Sequence, residues 1–319
     1  MNFLRRHIGS SKEQISEMYK YLGVNSQELI NNVVPNNIKS NFEQYAPKSE
    51  TKSLLQLKDM MNKNKIYHSM IGLDFNEAVL PNVIKRNLLE NPRWYTSYTP
   101  YQAEISQGRL EALFNFQTLV TELTGLPIAN ASLLDEGTAA AEAMLLAHST
   151  SKKNTFLVDS EVFPQTLKVL QTRAKPLGIK IKLLDWQTVA ALEEFDDAFG
   201  LLVQMPNNKG RLLDPSSILR IADVYKCMKI AVVDPLCQVL MKPVGDMGFD
   251  IAVGSMQRFG IPMGYGGPHA AFFAISEKHK RKIPGRIVGQ SKDSQGNKAL
   301  RLALQTREQH IRRDKATSN

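Results

Sequence analysis

The residue on which the chemistry of this sequence turns is Gln257, which follows the apolar run at 250–253. It opens a loop rich in glycine and proline that passes Arg258 and ends at His269. Such a loop lets the backbone turn sharply and lets another group approach it closely. A glutamine amide donates and accepts hydrogen bonds, but it cannot form an imine with a carbonyl compound. Position 257 therefore cannot hold a carbonyl compound covalently, and structural roles are expected for Arg258 and His269.

Acidic residues stand at the ends of two predicted elements. Asp234 closes the buried strand predicted at 229–234, where a carboxylate can cap the turn that follows. Asp135 and Glu136 precede the alanine-rich helix predicted at 139–147. Carboxylates there satisfy the N–H groups that would otherwise bind a phosphate, and they repel that phosphate. We therefore predict an acidic helix cap at 135–136.

A third stretch whose side chains could take part in binding or chemistry lies at 88–108, and it is rich in aromatic, hydroxyl and amide side chains. It has neither helical nor strand periodicity. Aromatic side chains with polar tips are typical of a surface that is apolar in its body and hydrogen-bonding at its rim. The residues alone leave two interpretations open, a structured core loop and the wall of a ligand site or interface.

The elements that must position these residues alternate between strand and helix. Strands are predicted at 155–158, 179–184, 199–204, 229–234, 250–253 and 270–275, and helices at 108–124, 139–147, 165–174 and 214–226. In the last helix Asp214 is the predicted cap and Pro215 the first residue. Near-continuous apolar strands in such an alternation indicate an α/β fold with a mainly parallel sheet covered by helices on both faces.

The first 65 residues differ from the rest because they lack strand signals. Helices are predicted at 11–23, 26–33 and 54–64. Ser11 and Gln14 form a capping box, and Gly23 ends the first helix. This segment is interpreted as a helical arm that packs over a neighbouring domain or subunit.

Composition excludes several classes of protein. The 319 residues are 43% apolar, yet no apolar run reaches the roughly 20 residues that span a bilayer. Cys227 and Cys237 match neither a metal site nor a disulfide framework, and no metal is expected. The net charge of +9 resides in 278–319, which has twelve basic and three acidic residues. Because no aromatic residue follows Phe273, nucleic acid is not the expected partner; an acidic protein partner and a solvated face remain open.

Four separated blocks, among them 88–108, 255–269 and 278–316, resemble the P-protein (glycine decarboxylase) family of the glycine cleavage system. The resemblance departs at 72–81, where many members carry a loop rich in glycine and tyrosine. It implies a fold-type-I PLP-transferase-like large domain at 66–276, after the arm at 1–65. A basic segment at 277–319 would then lead to a small domain that is missing, so the chain is expected to be cut short.

The family implies decarboxylation of glycine on pyridoxal phosphate (PLP), with transfer of the aminomethyl group to the lipoyl arm of the H-protein. A lysine of the catalytic half stands where Gln257 stands here, so the resemblance implies the non-catalytic N-terminal half, with no catalytic residue of its own. Thr138, Asp234 and Gln257 are then vestigial cofactor positions, and this chain alone is expected not to bind PLP. Five side chains are expected to line a cleft shared with the catalytic half, namely Tyr95, Tyr98, Tyr101, Gln102 and Glu104.

The resemblance also implies a pseudo-dimer or homo-oligomer and a cytoplasmic location, or the mitochondrial matrix in a eukaryote. An alternative is a binding or scaffold subunit that recruits an acidic partner through its basic end. A third hypothesis, an independent PLP enzyme, requires another lysine in place of Gln257, and Lys242 lies in the wrong segment.

Overall fold

The computed structural model describes residues 6, 7, 9–40, 46–73, 75–186, 195–264 and 269–304. The chain divides into two compact units, Met1–His68 and Ser69–Asn319. The division into 1–65, 66–276 and 277–319 stays a prediction, and residues 305–319 of its last part lie outside the described residues.

The first unit is helical, as predicted. Its helices are α1 (Lys12–Leu22), α2 (Ser26–Val33) and α3 (Glu50–Met61). The capping box of Ser11 and Gln14 is confirmed, and Gly23 ends α1 with a left-handed φ of 65°. Helix α3 begins before the predicted residue 54 because the Ser49 side chain accepts a hydrogen bond from the Lys52 N–H and so provides an earlier cap.

The second unit is built on a sheet, in which seven strands of the described chain pair in the order β1-β7-β6-β5-β4-β2-β3. The strands are β1 (Ile128–Ala129), β2 (Thr155–Asp159), β3 (Lys180–Leu184), β4 (Ala198–Met205), β5 (Met228–Val233), β6 (Ile251–Ser255) and β7 (Ala271–Ile275). Strands β2 to β6 pair in parallel, whereas β7 pairs antiparallel with both β6 and β1. The predicted mainly parallel sheet is confirmed.

Helices cover both faces of this sheet. After α4 (Asn82–Leu89), which has no buried residue, they are α5 (Gln107–Thr124), α6 (Glu136–His148), α7 (Pro164–Ala174), α8 (Ser216–Val224), α9 (Pro235–Leu240) and α10 (Val244–Met247). Successive strand residues point to opposite faces, so Leu202 packs in a cluster with α6 while Leu201 packs in another with Val120 of α5. The alanines of α6 are buried, which lets this helix lie close against the sheet.

Helix α8 corrects a prediction, because it spans Ser216–Val224 and not 214–226. Pro215 takes the N-cap position, and the Asp214 carboxylate accepts the Ser216 N–H at 2.9 Å. At the other end Lys226 has a φ of 55°, a left-handed conformation that cannot continue a helix.

A two-stranded hairpin that the sequence did not predict follows the sheet, with strands β8 (Ile287–Lys292) and β9 (Lys298–Ala303). Two glutamines of α5 hold it. The Gln117 amide donates to Val288 O at 3.0 Å and accepts from Val288 N at 2.8 Å. Gln107 does the same with Leu300 at 2.8 and 2.9 Å. Each amide thereby satisfies both backbone groups of one strand residue.

Candidate functional site

A cleft of about 300 Å³ lies at the carboxyl edge of the parallel strands. Open parallel sheets commonly bind ligands at this edge. Its polar lining includes Glu136 from α6, Gln204 from β4, Asp234 after β5 and Arg258 after β6, and Phe163 adds an aromatic ring. The segment 72–76 contributes Gly72, Leu73 and Asn76 to the same cleft.

Gln257 is fully buried beside this cleft, at the start of a short 3₁₀ helix that follows β6. Its Nε2 donates to Asn76 O at 2.5 Å and to Ile261 O at 2.9 Å. Both hydrogens of the amide are therefore used within the chain. Its Oε1 has no hydrogen-bond partner among the described residues. The side chain fastens its own loop and the segment 72–76; residues 265–268 of that loop lie outside the described residues.

Two further contacts fix the segment 72–76. Gln165 of α7 donates from Nε2 to Leu73 O at 2.7 Å. The Phe75 and His269 rings meet edge to face, with centroids 5.7 Å apart. This segment belongs to the stretch at 72–81, in which the sequence differs from many members of the family that it resembles. Asp74 within the segment lies outside the described residues.

Asp234 sits at the end of β5, where the sequence placed it, and its carboxylate serves two partners. One oxygen accepts the Leu236 N–H at 2.9 Å and so caps α9. The other lies 3.2 Å from Nε of Arg258, which neutralises its charge. The capping role expected of Asp234 is confirmed, and Arg258 emerges as its ion-pair partner.

The predicted acidic cap of α6 is also confirmed. Asp135 accepts the Thr138 N–H at 2.7 Å, and Thr138 itself is buried. Glu136 is buried and accepts a hydrogen bond from the Thr166 hydroxyl of α7 at 2.9 Å. The first turn of α6 thus carries two carboxylates, of which Glu136 lines the cleft, where an anion would need unoccupied N–H groups.

A polar network below the cleft was not anticipated from the sequence. Asp159, at the end of β2, accepts from Glu161 N at 2.9 Å and Gln204 N at 3.3 Å, and burial raises the pKa of its carboxyl group. Glu161 binds Lys209 at 2.5 Å and Arg211 at 2.6 Å, and its pKa is lowered by these hydrogen bonds. The one sequence signal was Gln204, a polar residue in the otherwise apolar strand β4.

The five predicted cleft residues lie in the aromatic segment, defined as residues 91–107. Tyr95 and Tyr98 are 59% and 44% exposed. Tyr101 is half-buried, with its hydroxyl 3.3 Å from Ser132 Oγ and the Arg286 guanidinium 4.6 Å above its ring. Gln102 is half-buried and Glu104 exposed. Within the described part of the chain, none of the five lines the cleft at the sheet edge, whereas Asp234 does.

Helix α5 orders the backbone of the aromatic segment. The Arg109 guanidinium donates to Tyr98 O at 2.9 Å and Thr99 O at 3.1 Å, and it also binds Ser106 Oγ at 2.9 Å. Because two of these contacts use backbone oxygens and none uses a tyrosine side chain, they fix the segment while leaving the Tyr95 and Tyr98 rings exposed.

The described residues contain no group of three or more His, Cys, Asp or Glu side chains that could hold a metal ion. None of their helices is long and apolar enough to cross a bilayer. Cys227 is buried with Sγ 3.1 Å from Ala198 O, and burial raises the pKa of its thiol to about 11.

Comparisons with known proteins agree with one another. A profile of the family "Glycine cleavage system P-protein" matches residues 5–319. The chain is 56% identical over 327 residues to "Glycine dehydrogenase (decarboxylating)" of Prochlorococcus marinus (strain NATL2A), covering 99% of this chain and 33% of that protein. A protein of the same name from Synechococcus sp. (strain RCC307) is 53% identical, with 99% and 34% covered. The chain thus spans about a third of the length of these curated relatives.

A solved structure shares the fold. It is a crystal structure of glycine decarboxylase (P-protein) of the glycine cleavage system in inhibitor-bound form. The superposition has a TM-score of 0.87 at 36% sequence identity, and it covers 98% of this chain and 72% of that chain.

Proposed function

Because the chain belongs to the glycine cleavage system P-protein family, we propose that it is the non-catalytic N-terminal half of a glycine decarboxylase. The observation that carries the proposal is Gln257, which stands where the resemblance places the imine lysine. Its amide hydrogens are donated to Asn76 and Ile261 carbonyls, so the side chain serves as a structural tie. The relatives are about three times as long, which leaves room for a catalytic half after this one.

Three features support the proposal that PLP does not bind this chain alone. Gln257 cannot form an imine. Asp135 and Glu136 place carboxylates at the first turn of α6, where the cofactor phosphate would need free N–H groups. Asp234, which would hold the pyridine nitrogen, is already paired with Arg258. The cleft therefore does not fit the cofactor, and no catalytic step is assigned to it.

In the proposed assembly, the cofactor of the catalytic half supplies the electron sink for loss of carbon dioxide from glycine, before aminomethyl transfer to the lipoyl H-protein. This chain would lend the aromatic segment to the shared cleft. Exposure of Tyr95 and Tyr98 on an ordered backbone supports that role. Their rings can exclude water while their hydroxyl groups bind polar atoms of glycine, the cofactor rim or the lipoyl arm. Tyr101, Gln102 and Glu104 are proposed to complete this wall.

Pairing with the catalytic half has support in the surface of α9. Leu236, Val239 and Leu240 are exposed there, Leu240 by 90%, and Phe259 is exposed as well. Apolar side chains grouped in this way favour burial against a partner. We propose that this surface contributes to a pseudo-dimer of the two halves.

A scaffold subunit that recruits an acidic partner through the basic segment has weaker support. Lys278 is paired with Asp250 at 2.8 Å, and Lys282 donates to Ser149 O at 3.0 Å. These lysines are engaged inside the chain, so less of the basic charge is available to a partner than the sequence suggested.

The test is a PLP titration of the purified chain, followed by borohydride reduction, and then the same chain mixed with the separately expressed catalytic half. The expected result is no covalent label on this chain alone and a rise in glycine-dependent carbon dioxide release from the mixture. The catalytic half without this chain is the control. Covalent labelling of the isolated chain, or no rise on mixing, would overturn the proposal.

A further inference from the structure

The cleft at the sheet edge keeps two polar groups whose hydrogen-bonding capacity is not used. Gln204 lines the cleft and is only 2% exposed, and its Oε1 has no hydrogen-bond partner among the described residues. Arg258 lines it too; its buried Nε lies near Asp234 but is not aligned for a hydrogen bond. Unpaired buried polar groups each cost about 1–3 kcal/mol. A ligand that brings both a donor and an acceptor would remove that cost.

The charges of the lining specify the ligand further. Glu136 and Asp234 are carboxylates, and Arg258 is the cation that faces them. The excess of negative charge, together with the Gln204 acceptor, suits an ammonium group. The planar guanidinium of Arg258 suits a carboxylate.

The neighbouring amides already make hydrogen bonds within the chain. Asn207 donates its amide hydrogen to Glu161, and its Oδ1 accepts from Lys209 N and Arg211 N. Asn208 donates to Val162 O at 3.3 Å. At about 300 Å³, the cleft is at the small end of the range for ligand pockets. A small ligand with opposite charges at its two ends fits these constraints.

We propose that this cleft binds a small zwitterionic amino acid, with its ammonium group toward Gln204 and Glu136 and its carboxylate toward Arg258. Glycine is the probe, and that choice rests on the proposed function. Bound there, glycine would bridge the ends of β4 and β6 under the segment 72–76, which Gln165 and Gln257 fasten. The half without chemistry would then respond to the substrate that the other half consumes.

Isothermal titration calorimetry of the full chain with glycine tests the proposal. We expect one saturable site. Methylamine carries only the ammonium group and acetate only the carboxylate, so each should bind at least about tenfold more weakly than glycine. No saturable glycine binding, or equal binding of either fragment, would overturn the proposal.

Variants locate the site. Glu136→Gln and Arg258→Met should each weaken glycine binding about tenfold or more, because each removes a charged partner. Arg220→Met is the matched control, since it removes an exposed guanidinium from α8 and should change nothing. Unchanged binding in both cleft variants, or loss in the control, contradicts the assignment.

A second measurement covers variants that fail to fold. In hydrogen exchange of the unmodified chain, glycine should protect the peptides that contain Leu73 and Asn207. Absence of protection there, with binding present, would place the ligand elsewhere and refute the cleft. The reconstituted decarboxylation assay tests the two proposals separately. If glycine binds but mixing gives no activity, the glycine site stands and the proposed assembly is refuted. If mixing gives activity but glycine does not bind this chain, only the glycine site is refuted.

Discussion

The cleft at the sheet edge and the aromatic segment use their side chains in opposite ways. In the cleft region a side chain holds the backbone, as Gln257 does for Asn76. In the aromatic segment the neighbouring helix holds the backbone through Arg109, and the Tyr95 and Tyr98 rings stay exposed. An internal hydrogen bond such as that of Gln257 stabilises the fold, whereas exposed rings on an ordered backbone are available to contact a partner.

The largest effect is expected for Gln257→Leu, which tests the internal use of the cleft side chains. Two carbonyls, of Asn76 and Ile261, lose the donor that Gln257 supplies inside the protein. We expect the free energy of unfolding to fall by about 3 kcal/mol, measured by urea denaturation. Gln165→Leu removes a single bond to Leu73 O and should cost about 1 kcal/mol. Equal and small losses of unfolding free energy in both variants would show that the Gln257 hydrogen bonds do not stabilise the fold.

Arg109→Met tests the ordering of the aromatic segment by its helix. The variant removes three hydrogen bonds of a half-buried guanidinium, to Tyr98 O, Thr99 O and Ser106 Oγ. We expect a loss of roughly 2 kcal/mol in unfolding free energy. Hydrogen exchange should become faster in 98–106 and stay unchanged near Gln257.

The control for that experiment is Arg86→Met, which breaks an exposed pair between Arg86 of α4 and Glu90 at the C-cap of that helix. It should cost no more than about 0.5 kcal/mol. If the Arg109 variant accelerates exchange near Gln257 as well, the two regions are not independent and the contrast between them fails.

Tyr98→Ala tests recognition by the exposed rings. Because the ring is exposed, stability should change by less than about 0.5 kcal/mol. Carbon dioxide release by the reconstituted assembly should nevertheless fall about tenfold, which corresponds to roughly 1.4 kcal/mol. Tyr21→Ala, at an exposed tyrosine of α1, is the matched control and should leave release unchanged. Equal activity of the two variants would remove Tyr98 from the shared wall.

The smallest effect concerns pH and Asp159, below the cleft. Burial raises the pKa of its carboxyl group above the unfolded value. The associated stability is present below the unfolded pKa and is lost as pH rises through the folded one. Urea unfolding across that acidic range should therefore show a decline that Asp159→Asn lacks. Asp223→Asn, at an exposed carboxylate, should keep the decline. If this variant also lacks the decline of unfolding free energy with pH, the decline does not come from Asp159.

Local patterns made much of the fold predictable. The capping box of Ser11 and Gln14, the stop at Gly23 and the apolar strands 229–234 and 250–253 depend on residues close together in sequence. The hairpin at 287–303 escaped prediction because its strands are only partly buried and carry lysine and arginine, so neither alternation nor an apolar run marks them. Its order comes from Gln107 and Gln117, far earlier in the chain.

The site divides in the same way. The acidic cap at Asp135 was readable because it precedes an alanine-rich helix. The sequence did not predict the ion pair of Asp234 with Arg258 or the position of Gln204 in the cleft. Parallel strands bring these residues together from separate βα units.

The sequence by itself determined that this chain cannot bind an aldehyde cofactor covalently at Gln257, because an amide does not form an imine. It also determined the alternation that builds the parallel sheet. Only the tertiary structure decided what the amide does instead: it donates to the carbonyl of Asn76, a residue 181 positions away. The physical reason is that side-chain chemistry is fixed by residue type, whereas the partner of a buried hydrogen bond is fixed by which distant backbone the fold brings within reach.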